Sequence, residues 1–350
     1  MEYRQLGRSG LRVSTLALGT ATFGGTGGLE LWGNTDVAGA RRLIASCVDA
    51  GVNLIDTADT YSDGLSEEIL GKALQGSHAD VLVATKVRFS TGKGPNDAGL
   101  SRHHLIAACE ASLRRLCRDH IDLYQVHEWD GQTPLEETLG ALDALVQSGK
   151  VRYIGSSNFC GWQSMKAAAV AERRGCEQFV SQQIYLSLQA RDAEHEVIPA
   201  ALDLGLGTLV WSPLAGGLLS GKYRRGVTPA GAARHLGDWH EPPINDQNRL
   251  YDTIEAIVEI AAARGVTPSQ VALAWLLGRP GVTSLVIGAR THEQLVANLG
   301  AVDVRLSTEE ADVLERVSRA PLPYPLWHQA VHASDRLSAA DESVLKPHLA

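Results

Sequence analysis

The sequence predicts an α/β protein whose eight strands close into a (β/α)₈ TIM barrel. Apolar, strand-like runs begin near residues 15, 53, 81, 121, 153, 179, 208 and 284, and helical patterns separate nearly all of them. Strict alternation of strand and helix requires parallel strands, and eight such units suit a closed barrel. A doubly wound open sheet is the alternative, because periodicity alone does not show closure.

Composition narrows the class of protein. No linker-like change of composition divides the 350 residues, so we expect one domain over residues 1–350. A net charge of −8 without a basic stripe argues against nucleic acid as a partner. Five cysteines without a CxxC pair disfavour a disulfide framework or a zinc–thiolate site. We therefore expect no metal site. Because neither a signal peptide nor a membrane-spanning run is present, we also expect a cytoplasmic protein with no membrane partner.

The chain begins with structural elements. Residues 3–13 read as a hairpin around a Ser9-Gly10 turn, which would cap the end of the barrel opposite the active site. The first barrel strand follows over 15–19. The glycine cluster of residues 23–28 lacks GxGxxG spacing and does not open a helix, so it is not a dinucleotide fingerprint.

The later elements are predicted from periodicity and helix signals. Helices are predicted over 65–73, 101–117, 133–148, 161–174, 196–204, 248–278 and 291–300. Capping boxes are predicted at Thr133 to Glu136, Thr291 to Gln294 and Ser307 to Glu310. The long strand-end loop 221–243 is predicted to be either a lid over a cofactor or disordered. Residues 320–350, which are rich in proline, are expected to form an extended C-terminal segment over the barrel.

Chemistry-bearing side chains follow consecutive strands. Asp56 and Tyr61 come after the second strand, and Lys86 and His127 end the third and fourth. The barrel would bring all four to one rim. A free phenol, with a pKa of about 10, is a weak acid at neutral pH, but a neighbouring ammonium favours the phenolate. We therefore expect Tyr61 to protonate a carbonyl oxygen, with Lys86 held charged by Asp56 and His127 directing the substrate.

These residues stand within motifs that resemble the aldo-keto reductase family over nearly the whole chain. The matching stretches are Gly19-Thr20, Asp56-Thr-Ala-Asp-Thr-Tyr61, Ala84-Thr-Lys86, the Asp122 to His127 strand, Gly155-Ser-Ser-Asn-Phe159, Trp211-Ser-Pro-Leu214, Ser220-Gly-Lys222 and Ile287-Gly-Ala-Arg290, with Gln294 and Asn298. The chain is most similar to the branch that includes bacterial reductases and potassium-channel β subunits.

The resemblance implies a barrel that binds NADP(H) across its strand ends, with Asp56, Tyr61, Lys86 and His127 as a catalytic tetrad. It implies contacts to the nicotinamide from Gly19, Thr20, Ser157, Asn158, Gln183 and Trp211. It also implies that the backbone of the loop with Leu214, Gly216 and Leu218 covers the pyrophosphate, with Lys222 nearby, and that Ser212 is a further cofactor-binding residue. It places the adenosine 2′-phosphate and adenine near Gly288, Arg290, Gln294 and Asn298. Arg290 also precedes a helix N-terminus, which favours an anion there on physical grounds.

Four aromatic residues, Phe23, Trp32, Phe89 and Trp129, are candidates to line a pocket for a small carbonyl substrate. Two functional classes stay open at this point: an NADPH-dependent reductase, and a cofactor-sensing regulatory subunit with little turnover. A metal-dependent barrel hydrolase is a distant third, because no strand end carries an HxH or His–carboxylate cluster. A homo-oligomer is compatible with the sequence.

Overall fold

The computed structural model describes residues 1–78, 80–227 and 242–349 and shows a closed barrel. A two-stranded antiparallel hairpin, β1 (Tyr3–Gln5) and β2 (Arg12–Ser14), precedes it. The barrel strands are β3 (Leu16–Gly19), β4 (Leu54–Asp56), β5 (Leu82–Val87), β6 (Ile121–Val126), β7 (Val151–Ser157), β8 (Ser181–Tyr185), β9 (Gly207–Trp211) and β10 (Val282–Ile287). Each pairs in parallel with the next, and β10 pairs with β3. The predicted barrel is confirmed, and the open sheet is excluded.

Helices pack around the barrel. They are α1 (Val37–Asp49), α2 (Leu65–Leu74), α3 (Arg102–Leu116), α4 (Leu135–Gln147), α5 (Gly161–Arg174), α6 (Val197–Leu204), α7 (Gln247–Arg264), α8 (Pro268–Leu277), α9 (His292–Leu299), α10 (Thr308–Ser318), α11 (Leu326–His332) and α12 (Ala339–Leu345). The predicted region 248–278 is two helices, because Gly265 ends α7 in a left-handed conformation at φ 66° and Thr267 starts α8 with a capping box. No described helix is long and apolar enough to cross a membrane.

Two groups of buried residues form the core. The larger lies between the barrel and its helices, and the smaller fills the barrel interior with side chains such as Leu54 and Leu123. Leu6 and Val13 of the hairpin belong to the interior group and are fully buried. The hairpin also bonds the turn between α6 and β9, since the Arg8 amide donates to the Gly205 carbonyl at 2.8 Å. The hairpin thus caps the N-terminal rim, as predicted.

The three capping boxes predicted from the sequence can be compared with the observed helix N-termini. The capping box of Ser307 and Glu310 is confirmed. The box at Thr133 is wrong: Pro134 takes the N-cap position of α4, and the Thr133 hydroxyl donates to Asp130 at 2.7 Å. Thr291 caps α9, but the Gln294 side chain accepts from the Arg290 amide one residue earlier.

The C-terminal segment is not extended over its whole length, so that prediction is wrong. Residues 320–325 are irregular, and α11 and α12 follow. α12 packs against α6 through buried Val344 and Leu345, whereas α11 buries none of its residues.

Most of the predicted lid, residues 228–241, lies outside the described residues. The described start of that loop is tied to α7 by ion pairs of Arg224 with Glu255 and Arg225 with Asp252.

Candidate active site

Three of the four predicted catalytic side chains meet at the C-terminal rim around Lys86. Its ammonium donates to Asp56 Oδ2 at 2.6 Å, to the Thr57 carbonyl at 2.8 Å and to Tyr61 Oη at 3.4 Å. Lys86 and Asp56 are buried, while Tyr61 is partly exposed to a cavity. The arrangement is a buried ion pair whose cation also touches a phenol at the cavity wall.

Electrostatics fix the charge states of this group. Burial works to lower the pKa of Lys86, but the Asp56 carboxylate and Tyr61 outweigh it, so the pKa is raised and the lysine is an ammonium ion. For His127, burial and then the charges of Lys86 and Arg88 hold the pKa well below its usual value. His127 is therefore a neutral imidazole, and its ring lies edge-on to Tyr61 with centroids 5.9 Å apart.

The Asp56 carboxylate has further partners that the sequence did not indicate. Its Oδ1 accepts from Gln183 Nε2 at 2.8 Å and from Gln125 Nε2 at 3.2 Å. Gln183, predicted to contact a nicotinamide, thus directs its amide nitrogen to Asp56. These bonds satisfy a buried charge and orient it towards Lys86. Inward-facing polar residues in the middle of apolar strands were the available signal.

A cavity of about 940 Å³ opens at this rim. Asp56, Tyr61 and His127 line it, and Lys86 lies directly behind them. Of the predicted cofactor residues, those that line it are Gly19, Thr20, Ser157, Asn158, Gln183, Trp211, Ser212, Leu214, Gly216, Lys222, Gly288, Arg290, Gln294 and Asn298. Leu218 does not line it, because its side chain is buried in the core.

Asn158 connects two other residues of the cavity wall, His127 and Trp211, through hydrogen bonds. Its backbone has φ 56°, a left-handed conformation that asparagine tolerates better than most residues. Its side chain donates to the His127 carbonyl at 3.1 Å and accepts from Trp211 Nε1 at 2.9 Å. The Trp211 ring also packs on Tyr185 at 4.9 Å between centroids. The indole is therefore held in one orientation beside the cavity.

The far end of the cavity suits an anion. Arg290 is exposed there, and its guanidinium makes no ion pair within the described part of the chain. It precedes α9, whose free N-terminal amides carry a partial positive charge. Lys222 also lines the cavity. Two basic side chains thus face the same cavity as Tyr61.

Two of the four aromatic residues predicted to line the pocket do so, and two do not. Trp32 and Phe89 line the cavity, and the Phe89 ring contacts His127 at 4.8 Å between centroids. Phe23 does not line it, because it is fully buried in the core. Trp129 turns away from the cavity to pack on Phe159. Chain position alone does not show which loop aromatic faces inward.

Two acidic residues near the tetrad were missed by the sequence reasoning. Asp59 is 2% exposed, and neither carboxylate oxygen has a well-formed hydrogen bond among the described residues. Burial and then the Glu67 carboxylate raise the pKa of Asp59 to about 8. Glu128 lines the cavity next to His127. Both are sequence neighbours of predicted catalytic residues, and no residue pattern marked them separately.

Within residues 1–78, 80–227 and 242–349, no three His, Cys, Asp or Glu side chains group as metal ligands. The closed barrel and this rim define a (β/α)₈ barrel protein in which a buried lysine contacts a tyrosine at the wall of a cavity. The chain belongs to the aldo/keto reductase family, whose model matches residues 15–319, and is an oxidoreductase. The family acts on small carbonyl compounds and uses nicotinamide cofactors.

Relatives share most of this chain's length. "Uncharacterized oxidoreductase YrpG" of Bacillus subtilis is 42% identical and covers 92% of this chain and 97% of its own. "Probable voltage-gated potassium channel subunit beta" of Oryza sativa is 38% identical, with 91% and 96% covered. "Versiconal hemiacetal acetate reductase" of Aspergillus parasiticus is 34% identical, with 96% and 100% covered. The predicted family and branch are confirmed.

The described residues fit a dinucleotide cofactor. The Ser157 hydroxyl is buried at the cavity and has no hydrogen-bond partner among the described residues, so it is available to a ligand amide. A Cβ at Gly19 would approach Val286 to 2.9 Å, so the backbone runs close to the cavity without a side chain. Gly216 and Gly217 have positive φ and form a compact turn without bulky side chains.

Proposed function

We propose that this protein reduces aldehydes or ketones to alcohols with NADPH, and that Tyr61 is the general acid. The observation that carries the proposal is the position of Lys86, which touches both Asp56 and Tyr61 at the catalytic end of the barrel. A charged lysine beside a phenol stabilises the phenolate left after proton transfer. The substrate is a small carbonyl compound.

In this proposal the protein's residues transfer the proton and orient the carbonyl group and the nicotinamide. When bound, the nicotinamide supplies the hydride that the carbonyl carbon accepts. Tyr61 Oη gives its proton to the carbonyl oxygen, and the negative charge left on the phenol is stabilised by Lys86. Asp56 keeps the ammonium charged in a buried site. Neutral His127 orients the carbonyl oxygen towards Tyr61, and Trp211, held by Asn158, provides a flat face for the nicotinamide.

Preference for NADPH over NADH is assigned to Arg290. A 2′-phosphate carries nearly two negative charges, which a guanidinium beside a helix N-terminus can bind. The exposed Arg290 and the start of α9 supply both. Because the protein carries a net charge of −8, this anion needs a local cation.

The proton-donor assignment is tested with Tyr61→Phe. We expect turnover of an aldehyde to fall by about 10²–10⁴-fold, the usual contribution of a general acid, while NADPH affinity changes little. Stopped-flow NADPH oxidation and fluorescence titration measure the two quantities. Tyr324→Phe, a change of the same kind at a side chain that is 76% exposed, is the control. Near-normal turnover of Tyr61→Phe would assign the proton to another group.

The cofactor assignment is tested with Arg290→Ala. A hydrogen bond to a charged group contributes about 1.5–3 kcal/mol, so NADPH should bind roughly 10- to 100-fold more weakly while NADH changes little. Arg336→Ala removes an arginine whose side chain is 91% exposed and serves as the control. Equal losses for both cofactors would mean that Arg290 contacts a part they share.

A regulatory subunit that senses its cofactor is the second candidate. It is favoured by the 38% and 37% identity to two plant chains named probable voltage-gated potassium channel β subunits. Steady-state NADPH oxidation with a panel of aldehydes separates the two. Tight NADPH binding without turnover supports the sensor, and turnover that depends on Tyr61 supports the reductase.

A further inference from the structure

The cavity around Tyr61 is mostly uncharged. Leu29, Trp32 and Phe89 give it apolar walls, and His127 is neutral. The loop that carries Leu29 and Trp32 lies beside the tetrad, since the Gly25 amide donates to the Ser62 hydroxyl at 3.0 Å. A substrate presented to Tyr61 therefore meets an apolar surface with few charges to balance its own.

Glu128 is the exception. Among the described residues that line the cavity, the charged ones are Asp56, Glu128, Lys222 and Arg290. Asp56 is paired with Lys86, and Lys222 and Arg290 are the cations that we assign to the cofactor. Glu128 makes no ion pair with any described residue, and its Oε1 accepts only from the Trp129 amide, at 3.2 Å.

The neighbouring cation, Arg88, makes no ion pair with Glu128 but lowers its pKa through its charge. Arg88 donates through Nε to the Trp129 carbonyl at 3.3 Å and lies 5.3 Å from the Phe89 ring centroid. Burial raises the pKa of the Glu128 carboxyl, while the Trp129 amide and Arg88 act in the opposite direction. Glu128 is thus a partly dehydrated carboxylate whose field is weakly screened inside the cavity.

The chain fixes this charge close to the reacting group. Glu128 follows His127 directly, and the His127 ring contacts both Tyr61 and Phe89. Because Tyr61, Phe89 and Glu128 line the same cavity, a substrate whose carbonyl reaches Tyr61 and whose body lies along Phe89 shares that cavity with the Glu128 charge. Two unit charges about 8 Å apart at an effective dielectric constant of about 20 change a binding constant by roughly 30-fold.

We propose that Glu128 selects substrates by charge: it favours neutral and cationic carbonyl compounds and rejects those that carry a carboxylate. The proposal rests on the reductase function given above and names its substrate class. Glu128 acts through its negative charge on the part of the substrate remote from the carbonyl. It takes no part in proton transfer.

The test uses three aldehydes that differ in charge at one position: 4-carboxybenzaldehyde, 4-nitrobenzaldehyde and 4-(trimethylammonio)benzaldehyde. In Glu128→Gln we expect kcat/KM to rise about 10- to 50-fold for the carboxylate, fall by a similar factor for the cation, and stay within about twofold for the nitro compound. Intrinsic reactivities cancel, because each aldehyde is compared between variant and wild type. Glu128→Asp should retain the discrimination of the wild type.

Glu30→Gln is the matched control, since Glu30 is exposed on the same loop as Leu29 but does not line the cavity. It removes the same net charge and should leave all three ratios unchanged. An equal change for all three aldehydes in Glu128→Gln, or the same selectivity shift in Glu30→Gln, would overturn the proposal.

A binding experiment separates this proposal from the reductase function. Calorimetric titration of the NADP⁺-loaded protein with benzoate, benzamide and benzyltrimethylammonium reports charge selection without turnover. Loss of this selection in Glu128→Gln supports the proposal even if no aldehyde is reduced, in which case the reductase function alone fails. Identical binding of the three ligands by wild type and variant refutes charge selection even if the nitro compound is reduced.

Discussion

The two rims of the barrel hold different kinds of buried polar group. At the N-terminal rim the hairpin gives several of them partners: Arg4 donates to the carbonyls of Val282 and Leu277 at 2.8 and 3.0 Å. A buried group without a partner there is a hydroxyl, that of Ser181, whereas at the C-terminal rim the carboxyl group of Asp59 has no well-formed hydrogen bond among the described residues. The same strands run through both rims, so the difference lies in the segments that cover the two ends of the barrel.

This difference shows how one barrel separates stability from chemistry. Satisfied polar groups lower the free energy of the folded state, whereas buried groups without partners raise it. The capped rim can therefore stabilise a catalytic rim that holds polar groups ready for ligands. If so, substitutions at the capped rim should lower stability alone, whereas those at the catalytic rim should lower turnover or raise stability.

The largest effect is expected from Lys86→Met at the catalytic rim. Removing the ammonium leaves Tyr61 without its cation, so kcat should fall by about 10²–10⁴-fold with little change in NADPH affinity. Lys93→Met, at an exposed lysine in the loop after β5, is the control. A large loss of cofactor affinity with unchanged kcat would contradict the role that we assign to Lys86.

Leu6→Ala at the capped rim should act on stability alone. Leu6 is fully buried in the barrel interior, and truncating such a leucine costs about 2–5 kcal/mol. Urea denaturation measures the loss, and kcat/KM per folded molecule should stay the same. Leu11→Ala, at a partly buried leucine of the same hairpin, should cost less. A change in kcat/KM at low urea would show that the rims are coupled.

Asp59→Asn should stabilise the protein, and more so at alkaline pH. The folded-state pKa of about 8 lies above the ordinary value of 3.8 for an aspartate, so wild-type stability falls as pH rises from about 4 to about 8 and then levels off. The variant lacks this titration. We expect a gain of roughly 2–4 kcal/mol at about pH 8.5 and little at about pH 4.5, from urea denaturation at each pH. A gain independent of pH would show that ionisation of Asp59 is not the cause.

The smallest effect is expected from Asn53→Ala. Unlike Asp59, Asn53 has hydrogen-bond partners for its side chain. The Asn53 side chain accepts from the Ser14 amide at 2.7 Å and donates to the Arg12 carbonyl at 3.0 Å. Losing these bonds should cost about 1–2 kcal/mol, with no dependence on pH between about 5 and 9. Thermal unfolding at several pH values checks this, and a gain in stability would reverse our view of the capped rim.

The sequence predicted most of the fold because parallel barrel strands are continuous apolar runs separated by helices. The three strand-end residues Asp56, Lys86 and His127 were likewise predictable, since strand ends share a rim. Their roles in catalysis stay predictions. Helix α11 was not predictable from a buried face, because it has none, and the nearby prolines suggested extended chain.

The contacts of individual side chains were less predictable. Phe23 and Trp129 lie in loops whose path depends on tertiary packing, and no periodicity tells which way they face. Thr133 had the spacing of a capping box, yet Asp130 competes for its hydroxyl. Gln125 stands in a largely apolar strand and Gln183 in a strand that begins with polar residues, and only the closed barrel shows that both reach Asp56.

The pairing of β3 with β10 also bears on how the chain acquires its shape during synthesis. Leu16 lies opposite Leu285 in this pair, so the ring of strands closes only after nearly the whole barrel has left the ribosome. Asp56, Lys86 and His127 are all made well before β8, β9 and β10. The Asp56 carboxylate nevertheless gains the hydrogen bond from Gln183 only after β8 has been made. The catalytic geometry is thus a late product of synthesis, although its residues are early ones.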